Sequence, residues 1–453
     1  MILKKKEVRV LTPLGMMGYG IPEKWYHKGV EWKPDVITVD AGSTDSGPQK
    51  LGLGAMTCSR EAYYKEFELL LDTCYNKKIP VFISSAGGDG TNAHVDIFLD
   101  IVKEIAGKKG YHFKIAAIYS DIDKEYIKKK IRQGKVAPCG PLENLTEEEV
   151  DLASNIVAQM GSEPFIKAMK ECKDLDIIIS GRSYDPAPTA AYAIYHGFDL
   201  GLSWHMGKIM ECGALCAEPA GRNIFGIMHE DGFTLEAPNP AEKCKSYSVA
   251  AHTLYEKAHP YLLPGPGGVL DLSGCNFEQI SDSAVKVSGS KFVPKTYTVK
   301  LEGAKPVGFR TICVAGIRDP ILIGQIDSYL EHIRERVDEF VGDPKSYELI
   351  FHVYGRDGVM GECEPDTETV PKELCVIIEV AAATQNQANM ICNKARTELL
   401  HYPYEGRIAT GGNCGFPFTP LEIPLGEVCK FNVYHIMEID DPTEVFPIKY
   451  LEV

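Results

Sequence analysis

The feature that most constrains this chain is the regular alternation, over its first half, of short β-branched runs with longer segments of helical period. Strand-like runs lie at Val8–Leu11, Val36–Val39, Val81–Ser84, Phe113–Ile118 and Ile177–Ile179. Between them, segments such as Ser59–Tyr75 and His94–Ile105 carry apolar residues at helical spacing. Strands separated by helices return parallel to one another, and the crossovers cover both faces of the sheet they build. The expected fold class is therefore α/β, a doubly wound, mostly parallel sheet over residues 1–230. A helix is also expected to start at the capping box Thr146-Glu-Glu-Glu149 and to run on through Val150, Ile156, Val157 and Met160.

The pattern changes after Pro219. Residues 231–343 read as a Pro/Gly-rich segment followed by antiparallel strands, on alternations such as Thr296-Tyr-Thr-Val-Lys-Leu301. Residues 344–453 hold strand-like Tyr347–Val353 and Cys375–Val380 and helical Ala388–Leu400, which predicts a second, smaller α+β domain.

Charge narrows the partners. Forty-eight Lys and Arg against 63 Asp and Glu leave a formal charge of −15, a field that repels nucleic acid and anionic membrane, so neither is expected as a partner. No apolar run reaches the roughly 18 residues of a membrane helix, and no secretory signal precedes the first strand. The 14 Cys include no CxxC pair and read as reduced thiols, so the expected setting is the cytoplasm. Cys212 and Cys216 would need further thiols, such as Cys139 or Cys275, to hold an iron–sulfur cluster, and that spacing fits no standard cluster motif.

Four polar clusters are candidates for chemistry, three of them directly after a strand, where open α/β sheets bind ligands. The first, Asp40-Ala-Gly-Ser-Thr-Asp-Ser-Gly-Pro48, offers Asp40 and Asp45 as carboxyl groups and Ser43 as a hydrogen-bond donor. The second, Ser84-Ser-Ala-Gly-Gly-Asp-Gly-Thr-Asn-Ala-His-Val-Asp96, is a Gly-rich strand-to-helix loop. Ser85, Gly87, Gly88, Gly90 and Asn92 would bind an anion there, His94 would move a proton, and Asp89 and Asp96 would hold a divalent ion, with Mg²⁺ the candidate. The third, Ser180-Gly-Arg-Ser-Tyr-Asp185, offers Arg182 for a carboxylate, either alone or paired structurally with Asp185. In the fourth, Ser203-Trp-His-Met-Gly-Lys-Ile-Met-Glu211, helical spacing sets His205 and Lys208 on one face, with Glu211 one turn beyond. No G-x-S-x-G elbow supports a serine hydrolase, and Gly15-Met-Met-Gly-Tyr-Gly20 has the wrong spacing for a dinucleotide fingerprint.

Taken in order, Asp40-Ala-Gly-Ser-Thr-Asp45, Ser85-Ala-Gly-Gly-Asp89, His94-Val-Asp96, Gly181-Arg182 with Asp185, and Glu211-Cys-Gly-Ala214 resemble the acyclic terpene utilisation (AtuA-like) family over roughly residues 5–450. The resemblance implies catabolism of carboxylic acids or their thioesters. Some family members carry, or are encoded beside, a short additional C-terminal domain, so it also implies a small partner subunit. With the clusters above, the leading expectation is an enzyme: a hydro-lyase acting on a small hydroxy-carboxylate or its CoA thioester, in a homo-oligomer. Its proton would move through His94 or His205, with Asp40, Asp45 or Asp89 assisting the departing hydroxyl. Two alternatives stand beside it. One is a nucleotide-dependent enzyme using Gly87-Gly-Asp-Gly-Thr91 as a phosphate cradle; the other is a non-catalytic subunit that binds a small acid.

Overall fold

The computed structural model describes residues 5–42, 47–255, 258–408, 410–417 and 419–453. The alternation read from sequence becomes a mixed α/β fold. Its first seven strands are β1 (Val8–Thr12), β2 (Val36–Asp40), β3 (Val81–Ser84), β4 (Lys114–Ile118), β5 (Val136–Pro138), β6 (Asn155–Gln159) and β7 (Ile177–Ser180). Five of these pair side by side and parallel in the order β1-β2-β3-β7-β4, the middle of a ten-stranded sheet. Antiparallel strands flank this block. Ile224–His229 lies against β1 and leads on to three further strands, while Ile448–Glu452 lies against β4.

A strand buried on both faces reads as a continuous apolar run, and these do. Successive side chains enter different cores: Val8, Val10, Phe82 and Ile178 belong to one, Leu11, Ile37, Val81, Ile83, Ile177 and Ile179 to the other. The second core is closed by the helices Arg60–Lys77 and Asn92–Lys109, the first by Glu163–Glu171, Ala187–Tyr195 and Leu200–Met210. Within the second core, Phe98 meets Tyr63 and Phe67 edge to face, with ring centres 4.8 and 5.1 Å apart.

By compactness the chain forms two units, Met1–Lys305 with Phe431–Val453, and Pro306–Lys430. In the second unit the end of a long strand, Thr298–Ile317, pairs antiparallel with Leu374–Ala382, which pairs in turn with Tyr347–Tyr354. The helices Ile326–Val341 and Gln385–His401 bury Ile333, Val337, Ile391 and Leu399 against Val376, Ile378 and Val380.

One expected element is corrected. Thr146 does cap a helix, its Oγ1 accepting from Glu149 N–H at 3.2 Å. That helix ends at Leu152, and Ile156 and Val157 belong to β6. β-Branched residues suit a strand, and β6 has a partner from far along the chain, Lys300–Ala304, which local periodicity does not reveal. Among the described residues no helix is long and apolar enough to cross a membrane.

Phe98 is fully buried and closes the second core. Phe98→Ala is expected to cost about 3–5 kcal/mol, measured by urea unfolding. A loss below about 1 kcal/mol would show that this core is not packed as described.

Candidate functional site

Because β2, β3, β4 and β7 run parallel, their carboxyl ends share one edge of the sheet, and the loops leaving them are tied together there. Ala41 N–H donates to Ser84 O at 2.9 Å, Ser85 N–H to Gly181 O at 3.1 Å, and Arg182 N–H to Gly90 O at 3.0 Å. These approaches need glycine. A Cβ on Gly90, whose φ is +71°, would fall 2.3 Å from Arg182 N, and one on Gly42 would fall 2.1 Å from Ser85 Cβ. Ser85 itself is buried with φ +51°, a conformation that only well-fixed surroundings sustain in a residue with a side chain.

Arg182 stands at the centre. Its side chain is 3% exposed. Nε donates to Glu302 Oε2 at 2.9 Å, and Nη1 is within reach of Asp185 Oδ1 at 2.9 Å, Ser183 O at 3.0 Å and Ser85 Oγ at 3.2 Å. Nη2 has one long bond, 3.5 Å to Glu302 Oε1. Burial works against the guanidinium charge, but Glu302, Asp185 and Asp40 outweigh it and hold the group protonated. The fully buried Glu302 is pressed toward neutrality by desolvation, yet Arg182 and then Lys300 pull its carboxyl down to about 2. Lys300 Nζ sits 2.8 Å from Glu302 Oε1, donates to Tyr434 OH at 3.1 Å and lies over the Tyr434 ring.

Asp40, at the end of β2, is buried and accepts from Ser84 Oγ at 2.8 Å. Desolvation first, and the carboxylate of Asp185 second, push its carboxyl well above the usual range, with Arg182 pulling the other way. The same edge therefore holds one desolvated carboxyl, and beside it Asp185, 34% exposed and bonded to a guanidinium. Lys208 and Glu211 form a buried ion pair within electrostatic reach of Tyr184, next to Asp185.

The second cluster resolves differently from its sequence reading. Gly88 N–H and Gly90 N–H donate to Ser85 O and Ala86 O, so two of the expected anion-binding amides are spent inside their own loop. Asn92 braces the neighbouring loop, its Oδ1 accepting from Ser120 and Asp121 N–H. Asp89 and His94 pair at 2.5 Å through Oδ1 and Nδ1, and His94 Nε2 lies 3.2 Å from Gly54 O. Asp96 is exposed and accepts from Tyr119 OH. Asp89 and Asp96 thus share no partner, and among the described residues no group of three or more His, Cys, Asp or Glu is placed to hold a metal ion.

His205 parts from Lys208. Its ring is buried against Phe233, with Nδ1 2.6 Å from Ser290 Oγ and Nε2 3.1 Å from Thr253 Oγ1. Ser43 and Asp45 lie outside the described residues. Sequence reasoning missed Glu302, Lys300 and Asp121. Asp121 follows β4 as the candidate loops follow their strands, a signal that was available. Burial raises its carboxyl to about 6, despite the Asn92 N–H bond that lowers it.

Glu302→Gln leaves Arg182 and Lys300 without their buried carboxylate, and is expected to cost about 3–5 kcal/mol in unfolding at pH 7. A carboxyl lowered on folding adds stability above its unfolded value and loses it as pH falls. The gap between wild type and variant should therefore narrow as pH drops from 4.5 toward 2. A gap independent of pH would contradict the pairing.

Comparison with known proteins gives one match. The family model described as "Acyclic terpene utilisation family protein AtuA" matches residues 33–414. No curated protein and no solved structure matches the chain.

Proposed function

The chain belongs to the acyclic terpene utilisation (AtuA) family, and from that premise we propose that it is a catabolic enzyme, a hydro-lyase acting on a hydroxy-carboxylate or its CoA thioester. The observation that carries this reading is the meeting of Asp40, Ser85, Arg182 and Asp185 at the carboxyl ends of adjacent parallel strands. Two carboxyl groups share one guanidinium there in unlike surroundings. Two carboxyl groups side by side can divide the work of acid and base.

Asp40, whose carboxyl desolvation pushes well above the usual range, is the group able to give a proton to a departing hydroxyl. Asp185, half-exposed and oriented by Arg182 Nη1, is the base that takes the proton from the carbon beside the carboxylate. In the reverse direction the roles exchange. Arg182 serves mainly to fix Asp185, since its Nε and Nη1 donors are engaged by the protein. Nη2 keeps donor capacity for a substrate carboxylate or thioester oxygen. This assignment moves the proton chemistry from His94 and His205 to carboxyl groups, because both imidazoles have each nitrogen engaged within the fold.

The test is proton NMR of the protein in D₂O with hydroxy-acids, unsaturated acids and their CoA esters. Deuterium entering beside the carboxylate, or gain or loss of water, is the expected outcome. Silence across the panel would move the reading to a non-catalytic acid-binding subunit. With a substrate in hand, Asp40→Asn and Asp185→Asn should each lower kcat by about 10²–10⁴, and full turnover in both would overturn the assignment. An acid must be protonated to act, so kcat should fall as pH rises through the raised value of Asp40. Asp40→Asn should lose that alkaline limb.

A further inference from the structure

The reaction assigned above leaves Asp89 without a task, although one of its oxygens is buried and unmatched. The Asp89 side chain is 2% exposed. Oδ1 is saturated, taking Thr91 N–H at 2.9 Å, Thr91 Oγ1 at 3.1 Å and His94 Nδ1 at 2.5 Å. Oδ2 is buried as well and, among the described residues, receives no hydrogen bond. A buried carboxyl oxygen left so costs free energy that a ligand able to donate would recover.

Asp89 lines a cavity with Lys50, Leu51, Gly88, Arg182, Glu302 and neighbouring residues. Its volume is about 20 Å³, against the roughly 10–15 Å³ that one water-sized group needs on the same measure. Among the described residues its lining carries two cationic side chains, Lys50 and Arg182, and two carboxyl side chains, Asp89 and Glu302. An anion there meets both carboxyls, and a metal cation meets both bases. A small neutral donor meets neither penalty and satisfies Oδ2. His94 holds Asp89 in this pose, and Gly87 leaves it room, since a Cβ there would fall 2.6 Å from His94 Cγ.

We propose that this cavity is a subsite for one hydroxyl group of the ligand, whose O–H donates to Asp89 Oδ2. The site's existence stands on the cavity and the unmatched oxygen. Its meaning, a hydroxyl by which the substrate is held, rests on the function proposed above.

The two are separated by crystal structures of the full chain, ligand-free and soaked in ethylene glycol, which offers a hydroxyl alone, or in 3-hydroxybutyrate. In the ligand-free crystals a water oxygen is expected about 2.6–3.2 Å from Asp89 Oδ2, and in a soak a ligand hydroxyl oxygen is expected to take its place. A glycol hydroxyl there supports the subsite even if no acid is ever turned over, in which case only the hydro-lyase reading fails. A water retained through both soaks, or Oδ2 met by a protein group, overturns the subsite even if the chain proves to be a hydro-lyase. On a substrate identified in D₂O, Asp89→Asn should lower kcat/KM at least 10-fold for the hydroxylated acid while leaving the melting temperature within a few degrees. Unchanged kcat/KM would likewise overturn the subsite.

Discussion

The site depends on one buried ion pair, Arg182 with Glu302. Such pairs add little net stability, because the cost of dehydrating both charges offsets their attraction. Their value is positional. Glu302, held charged between Arg182 and Lys300, fixes the guanidinium so that Nη1 faces Asp185, Ser85 and the Ser183 carbonyl together. Without that anchor the buried Arg182 would keep Asp185 as its directly bonded carboxylate and lose the partner that fixes its Nε edge. The rest of the edge elaborates the arrangement. Glycines let the loop backbones approach within hydrogen-bonding distance, and the strained Ser85 turns its hydroxyl toward the guanidinium.

The parallel block supplies the frame. A strand with both faces buried cannot shift register without moving its apolar side chains from one core to the other. The carboxyl ends of β2, β3 and β7 are consequently held in fixed stagger. Asp40, Ser85 and Arg182 inherit their relative positions from packing that lies well below the site, in Ile37, Val39, Ile83 and Ile179. Chemistry placed on loops is in this way as well positioned as the sheet beneath it.

What could be read from the sequence follows from the range of the interactions involved. The strands β1–β4 and β7, the helices between them, and Asp40, Ser85, Arg182 and Asp185 as a group all follow from short-range pattern and the rule that ligands gather at strand ends. Glu302 could not be found that way. It sits 120 residues from Arg182, in an alternating Lys-Leu-Glu stretch whose polar residues read as facing solvent. The Glu302 carboxylate is buried against Arg182 and Lys300, and the contact with Arg182 is one that local pattern does not reveal. The pairing of β6 with Lys300–Ala304 took Ile156 and Val157 out of the helix that the capping box announced. His205 failed in a different way, because helical spacing places residues on a face and does not say what that face packs against.

The asymmetry between Asp40 and Asp185 is set locally, within a chain whose net charge is −15. Water and salt screen a protein-wide negative field over about 8–10 Å, so it cannot tell neighbouring groups apart. Desolvation is local. It acts on Asp40, which is 5% exposed, whereas the Asp185 side chain is 34% exposed. The single guanidinium then bonds directly to Asp185 and reaches Asp40 only through space. Two carboxyl groups that share a cation are thereby sorted by depth. The sorting follows from where β2 ends relative to the loop after β7.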